Sequence, residues 1–164
     1  MQVREIQKTE INQVACLEQQ IFSDAWSNQS IMESLEQDHT ILLGAFEEEK
    51  LAGYLIVYYV IDEAEIARVA VDPSYRRQGV AGRLLNELKK YSESLGIIKW
   101  LLDVRESNVP AISFYKKWGF TEDGIRRRFY SNPVEDAVLM SLSTGKGMEG
   151  LTAVPTGNGQ TFRL

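Results

Sequence analysis

Val71-Asp72-Pro73-Ser74-Tyr75-Arg76-Arg77-Gln78-Gly79-Val80-Ala81-Gly82 joins an apolar strand to an amphipathic helix, and its small residues decide what that junction can hold. Upstream, Ile66, Ala67, Val69, Ala70 and Val71 read as strand, which Asp72-Pro73 breaks. Downstream, helix resumes with Gly79, Ala81 and Gly82 among its first positions. Backbone N–H groups there lack an intrahelical acceptor and carry the positive end of the helix dipole. Small side chains leave those amides open to a diphosphate, so the junction has the layout of an anion cradle. The spacing Arg76-x-x-Gly79-x-Ala81 is neither a P-loop, which ends in Gly-Lys-Ser/Thr, nor the Gly-x-Gly-x-x-Gly of dinucleotide folds. Taken alone, it fits equally well a glycine-bearing turn that only starts a helix.

The flanking sequence sets the frame. Leu84, Leu85, Leu88, Tyr91 and Leu95 form one stripe of the following helix, which Gly96 stops. Ile97 to Val104 reads as a second buried strand, and the right-handed crossover rule places it parallel to Glu65–Val71 with both carboxyl ends on one side. A helix near Val109–Trp118 ends at Gly119, and strands near Phe120–Tyr130 and Val134–Leu142 complete the domain. Before the junction, Thr9 and Ser27 are expected N-caps of two helices carrying Ile11, Val14, Ala15 and Ile31, Met32, Leu35. Thr40–Phe46 and Leu51–Ile61 flank the turn Glu47-Glu48-Glu49-Lys50 as a β-hairpin. The order β-α-α-β-β-β-α-β-α-β-β predicts an α/β (α+β) fold with a mixed, mostly antiparallel sheet and helices on both faces. Residues 1–143 are expected to form one domain, and 144–164 a glycine-containing tail without periodicity.

Composition removes several function classes. At 164 residues the chain suits a single domain with its own core. A net charge of -5 argues against nucleic-acid binding. Met1-Gln2-Val3-Arg4-Glu5 lacks the signal-peptide pattern, and the apolar run Leu51–Ile61 falls short of the roughly 20 residues of a membrane helix. Cys16 is the single cysteine, so no intrachain disulfide is expected and a reducing cytoplasm is the natural compartment. His39, the single histidine, has no metal-type spacing around it, which disfavours thiol-nucleophile and zinc chemistry. Arg126-Arg127-Arg128 concentrates positive charge on a strand whose side chains would alternate between faces. It reads either as a solvated hairpin edge or as a contact for cofactor phosphates.

Together these residues resemble the GNAT-type N-acetyltransferases, whose pyrophosphate loop has the form Arg/Gln-x-x-Gly-x-Gly/Ala between a strand and a helix. Asp62-Glu63-Ala64, Ala70-Val71-Asp72-Pro73, Arg77-Gln78-Gly79, Val104-Arg105, Ser107-Asn108, Ala111-Ile112, Tyr115, Gly119-Phe120, Ile125-Arg126-Arg127, Glu135-Asp136-Ala137 and Trp26-Ser27 are similar to the bacterial ribosomal-protein alanine N-acetyltransferases. The likeness runs from about Ile6 to Leu142. It implies a sheet whose parallel pair is splayed at the cofactor site, with acetyl-coenzyme A as cosubstrate and no metal. Val69, Ala70 and Val71 would offer backbone groups to the pantetheine arm. Arg77, Gln78, Gly79, Val80, Ala81 and Gly82 would hold the pyrophosphate, and Asn108 would bond the cofactor beyond the splayed strand. Tyr115 matches the general acid, and Asp103 stands where the family has a glutamate as general base, one methylene longer. The implied acceptor is a basic protein N-terminus, the alanine of ribosomal small-subunit protein eighteen.

The chemistry agrees with an α-amine acceptor. At pH 7 an α-amino group of pKa about 7.7 to 8.0 is roughly a tenth neutral, whereas lysine, near about 10.4, is below about 0.1% neutral. Such an acceptor asks little of its base, so Asp103 acting through a water suffices; Glu65 on the neighbouring strand, or solvent, are the alternatives. Full proton transfer from a phenol of pKa about 10 to a thiolate near 8.5 is uphill by roughly 2 kcal/mol. Hydrogen bonding to the leaving sulfur is therefore the readier role for Tyr115. Phe114, Tyr115 and Trp118 also fit plain core packing. Two other functions fit the same residues: acetylation of a lysine, small amine or other protein N-terminus, and a non-catalytic acetyl-coenzyme A-binding module.

Overall fold

One parallel strand pair interrupts an otherwise antiparallel sheet. The computed structural model describes residues 1–145, and the rest of the expected tail, 146–164, lies outside the described residues. The elements are β1 (Gln2–Glu5), α1 (Ile11–Ile21), α2 (Asn28–Glu36), β2 (Thr40–Glu47), β3 (Lys50–Val60), β4 (Glu63–Val71), α3 (Val80–Leu95), β5 (Lys99–Arg105), α4 (Val109–Lys117), β6 (Thr121–Tyr130) and β7 (Glu135–Ser143). Among the described strands the sheet runs β1-β2-β3-β4-β5-β7-β6, and β4 and β5 are the parallel pair. The expected element order and fold class are both found.

Each face of the sheet has its own core. Leu84, Leu85 and Leu88 of α3 pack with Leu55, Val69 and Trp100 on one face; Val14, Leu17 and Ile31 pack with Leu42, Tyr54 and Ile56 on the other. Each fully buried aliphatic side chain contributes roughly 1.5–3 kcal/mol. The α3 stripe holds except at Leu95, which is exposed beside the left-handed cap Gly96 (φ 72°). Trp100 closes the packing by donating its indole N–H to Ser92 Oγ, 2.8 Å away.

The two expected helix caps differ in outcome. Ser27 caps α2 as expected, its Oγ accepting from the Ser30 N–H at 3.1 Å. Thr9 does not cap α1. It lies inside a short 3-10 turn (Lys8–Glu10), where Gln7 and Glu10 form a capping box. The hairpin turn is tighter than expected because Glu48 adopts φ 54° and Lys50 already belongs to β3. Ile61 leaves the strand for the β3–β4 turn, exposed and at φ 58°.

Candidate active site

The parallel pair is short because a bulge pulls it apart. β4 and β5 pair only at Glu63–Lys99, Ala64–Trp100 and Glu65–Leu101, although β4 continues to Val71 and β5 to Arg105. Against β3, Ile66 pairs with Val57 and Arg68 with Ile56, so Ala67 is an extra residue that bends β4. β5 stays with β7 from Lys99–Ser143 to Arg105–Ala137. The strands therefore diverge beyond Glu65, with Val69, Ala70 and Val71 on one wall of the gap and Asp103 on the other. The bulge itself was not legible in the sequence.

At the end of β4 the chain forms the expected helix start. Asp72 Oδ1 accepts from the Ser74 N–H at 2.8 Å, and Gln78 Nε2 donates to the Ser74 carbonyl at 3.2 Å. Arg77 and Gly79 both have positive φ, 66° and 75°, and no side chain caps α3 at Gly79. A Cβ on Gly79 would meet nothing within 4 Å, so the approach to the first-turn amides is open. That arrangement fits a diphosphate, because first-turn amides have no acceptor within the helix. Val80, Ala81 and Gly82 are buried, and Val80 sits against Gly53 of β3. A Cβ at Gly53 would lie 2.7 Å from the Ala70 carbonyl oxygen and 2.9 Å from Val80 Cγ1. Gly53 thus lets the helix start close on the sheet, a role invisible in the sequence.

Asp103 lines the larger cavity from β5, and burial pushes its carboxyl above the usual range while Arg126, 3.5 Å away, draws it back. Tyr115 on α4 is fully buried between Phe114 and Phe120, with ring centroids 5.4 and 5.3 Å away. Burial above all pushes its phenol far up, so it stays protonated at any working pH. Tyr130 lines the larger cavity with Asp103, and burial, then the Asp103 charge, raise its phenol. Asn108 is the N-cap of α4, its Oδ1 accepting from the Ala111 N–H at 3.3 Å. Glu65 is exposed at the last β4–β5 pairing, opposite Leu101, and lines the larger cavity where the gap begins.

Two adjoining cavities run along the gap, of about 610 and 460 Å³. The larger joins Trp26 and Tyr58 to Glu65, Asp103 and Tyr130; the smaller joins Arg76 to Arg105 and Asn108. Asp24 and Asn132 line both. Ser23 Oγ donates to the Asn132 carbonyl at 3.1 Å, so the α1–α2 loop touches the β6–β7 loop over the gap. Arg105 fastens the second loop, donating to the Ser131 and Pro133 carbonyls at 3.0 Å each. Desolvation pulls the Glu135 carboxyl up, but its Ser107 hydrogen bonds and the Arg105 charge outweigh this and hold it low. Arg68, Asn132 and Asp24 were missed because they are scattered in sequence and match no motif; Arg105 stood within the Val104-Arg105 likeness but without a role.

The arginine run lies on edge strand β6, third from β4 in the sheet, away from the helix start. Its side chains do not alternate. Arg126 pairs with Ala137 and Tyr130 with Glu135, so Arg127, Arg128 and Phe129 oppose Asp136 alone. Asp136 accepts from Arg127 Nη1 at 3.1 Å and the Arg128 N–H at 2.8 Å.

A strand pair opened beside an uncapped helix start, with a carboxylate lining the gap, suits group transfer between an anionic coenzyme and a second substrate; the Tyr115 phenol is buried and lines neither cavity. Residues 7–120 match the model of the acetyltransferase (GNAT) family, and the chain belongs to that family. It is 32% identical over 142 residues to the ribosomal protein bS18-alanine N-acetyltransferase of Escherichia coli K12, covering 85% of this chain and 95% of that one. Against the Salmonella typhimurium enzyme of the same description it is 33% identical over 128 residues, 77% and 86% of the two chains. The crystal structure of the Escherichia coli ribosomal-protein-S18-alanine N-acetyltransferase has a TM-score of 0.82 at 30% identity, covering 93% of this chain and 99% of that one. An aminoglycoside 6'-N-acetyltransferase solved with coenzyme A shares the fold, with a TM-score of 0.72 at 17% identity over 88% and 97% of the chains. The protein is an acetyl-coenzyme A-dependent N-acetyltransferase. No helix among the described residues is long and apolar enough to cross a membrane.

Proposed function

We propose that this enzyme acetylates the α-amine at the N-terminus of a protein, with the alanine of ribosomal protein bS18 as its specific acceptor. The names of its relatives support that acceptor. The observation that carries the reading is the 610 Å³ cavity running from the α1–α2 loop to Asp103, roomy enough for the first residues of a chain. Acetyl-coenzyme A supplies the activated acetyl thioester. The amides of Val80, Ala81 and Gly82, with Arg77, Gln78 and Gly79, hold its pyrophosphate. Val69, Ala70 and Val71 present unpaired strand edge to the pantetheine arm, as the loss of β4–β5 pairing supports, and Asn108 contacts the cofactor from the start of α4. Asp103, ionised, removes the amine's surplus proton through a water. Tyr115, held protonated by its burial, donates toward the leaving sulfur. The direct test offers acetyl-coenzyme A and a peptide carrying the bS18 N-terminus, then locates the modification by mass. Acetyl on the α-amine is expected; acetyl only on lysine, or on neither, overturns the reading.

A further inference from the structure

Beneath the larger cavity lies a buried ion pair that the chemistry above does not use. Glu18 of α1 is 0% exposed and Arg68 of β4, next to the bulge residue Ala67, is 4% exposed. Arg68 Nε stands 3.5 Å from Glu18 Oε1, which also accepts from the Tyr54 hydroxyl. Both partners reach onward to the same segment. Glu18 Oε2 accepts from the Trp26 N–H at 2.9 Å. Arg68 Nη2 donates to the Asp24 carbonyl at 2.9 Å and lies 3.4 Å from Asp24 Oδ2. The guanidinium also packs over the rings of Phe22 and Trp26, 4.4 and 5.1 Å from their centroids.

That segment, residues 22–27, has no helix or strand of its own to hold it, yet it forms one wall of the cavity. A buried ion pair is weak evidence of stability, since a well-packed apolar pair serves a core as well or better. What an apolar pair cannot do is bond the loop backbone at Asp24 and Trp26. We propose that Glu18 and Arg68 are positioning residues that fix the α1–α2 loop as the acceptor-binding wall. This proposal rests on the acceptor reading above. The planar fork of Arg68 serves because one side chain must face Glu18 and Asp24 together, which the point charge of a lysine does not manage.

The test is Arg68→Lys, which keeps a cation opposite Glu18 but gives up the bridge to Asp24. Its acceptor KM should rise about tenfold with acetyl-coenzyme A affinity, measured by calorimetry, within about twofold. Asp24→Asn, at a side chain 53% exposed and so harmless to folding, should raise acceptor KM as well. In the Arg68→Lys/Asp24→Asn double variant the two effects should fail to add. Glu18→Gln/Arg68→Met, which removes both charges together, should keep its Tm and still bind acceptor poorly. Unchanged acceptor KM in folded variants, additive effects, or equal loss of affinity for both substrates would overturn the proposal. Hydrogen exchange across residues 22–27 needs no acceptor and should quicken in Arg68→Lys. Quickening without any α-amine acetylation by the wild-type protein would retire the acceptor reading and leave the clamp standing; unchanged exchange would defeat the clamp.

Discussion

Arg126 Nη1 stands 3.5 Å from Asp103 Oδ2 although β7 lies between their strands. The irregular pairing of β6 after Arg126 accompanies this long reach across the sheet. The contact sets a cation beside the proposed base, opposing the upward push that burial exerts on its carboxyl.

Arg126→Ala should move the acid limb of the kcat/KM profile to higher pH. Burial raises the Asp103 carboxyl and Arg126 lowers it, so losing the cation raises it further and less base is ionised at a given pH. The same raised carboxyl contributes stability only while protonated, and that contribution is lost as pH rises through its folded value. A pH–rate profile with an unmoved acid limb would separate Arg126 from the base.

Asp103→Asn should lower kcat by about a hundredfold, at the low end for general bases because an α-amine is partly neutral already. Steady-state kinetics at pH 7 with a saturating peptide would measure it. Full retention of kcat would pass proton removal to Glu65 or solvent.

For Tyr115→Phe the ring keeps its packing between Phe114 and Phe120, so Tm should shift by only a few degrees. Turnover should fall at least about tenfold while acetyl-coenzyme A affinity holds. Weakened cofactor binding in place of lost turnover would reassign the phenol to binding.

Gly79→Ala places a methyl group into open space over the amides at a φ of 75°. The left-handed conformation should cost about 1–2 kcal/mol of stability, and the methyl should weaken acetyl-coenzyme A binding by about tenfold. Calorimetry showing unaltered affinity would locate the phosphates elsewhere.

Gly53→Ala should destabilise by about 1–3 kcal/mol, since its Cβ would press on the Ala70 carbonyl 2.7 Å away and on Val80. Denaturant unfolding with an unmoved midpoint would contradict the close packing of the helix start.

What could be read in the sequence was local. Ser27 caps a helix through an oxygen three residues from its partner, and Gly96 ends one because it alone tolerates the left-handed turn there. The α3 stripe named its buried face, and the spacing around Gly79 marked a helix start with exposed amides. Thr9 is no cap because it lies inside the 3-10 turn Lys8–Glu10, closed by the Gln7–Glu10 capping box, and Glu10 takes the N-cap position of α1. Asp103 and Tyr115 were singled out by resemblance, since spacing alone left Tyr115 indistinguishable from core.

By itself the amino-acid order determined the elements, their succession and the open amides before α3, because hydrophobic period, caps and glycines act within a few residues. Tertiary structure alone decided the bulge at Ala67, the contact of Gly53 with Val80, and the pairings of Asp103 with Arg126 and Glu18 with Arg68. These join residues distant in the chain, and their energies depend on burial and on distances of a few ångströms, which exist only once the sheet has brought its strands together.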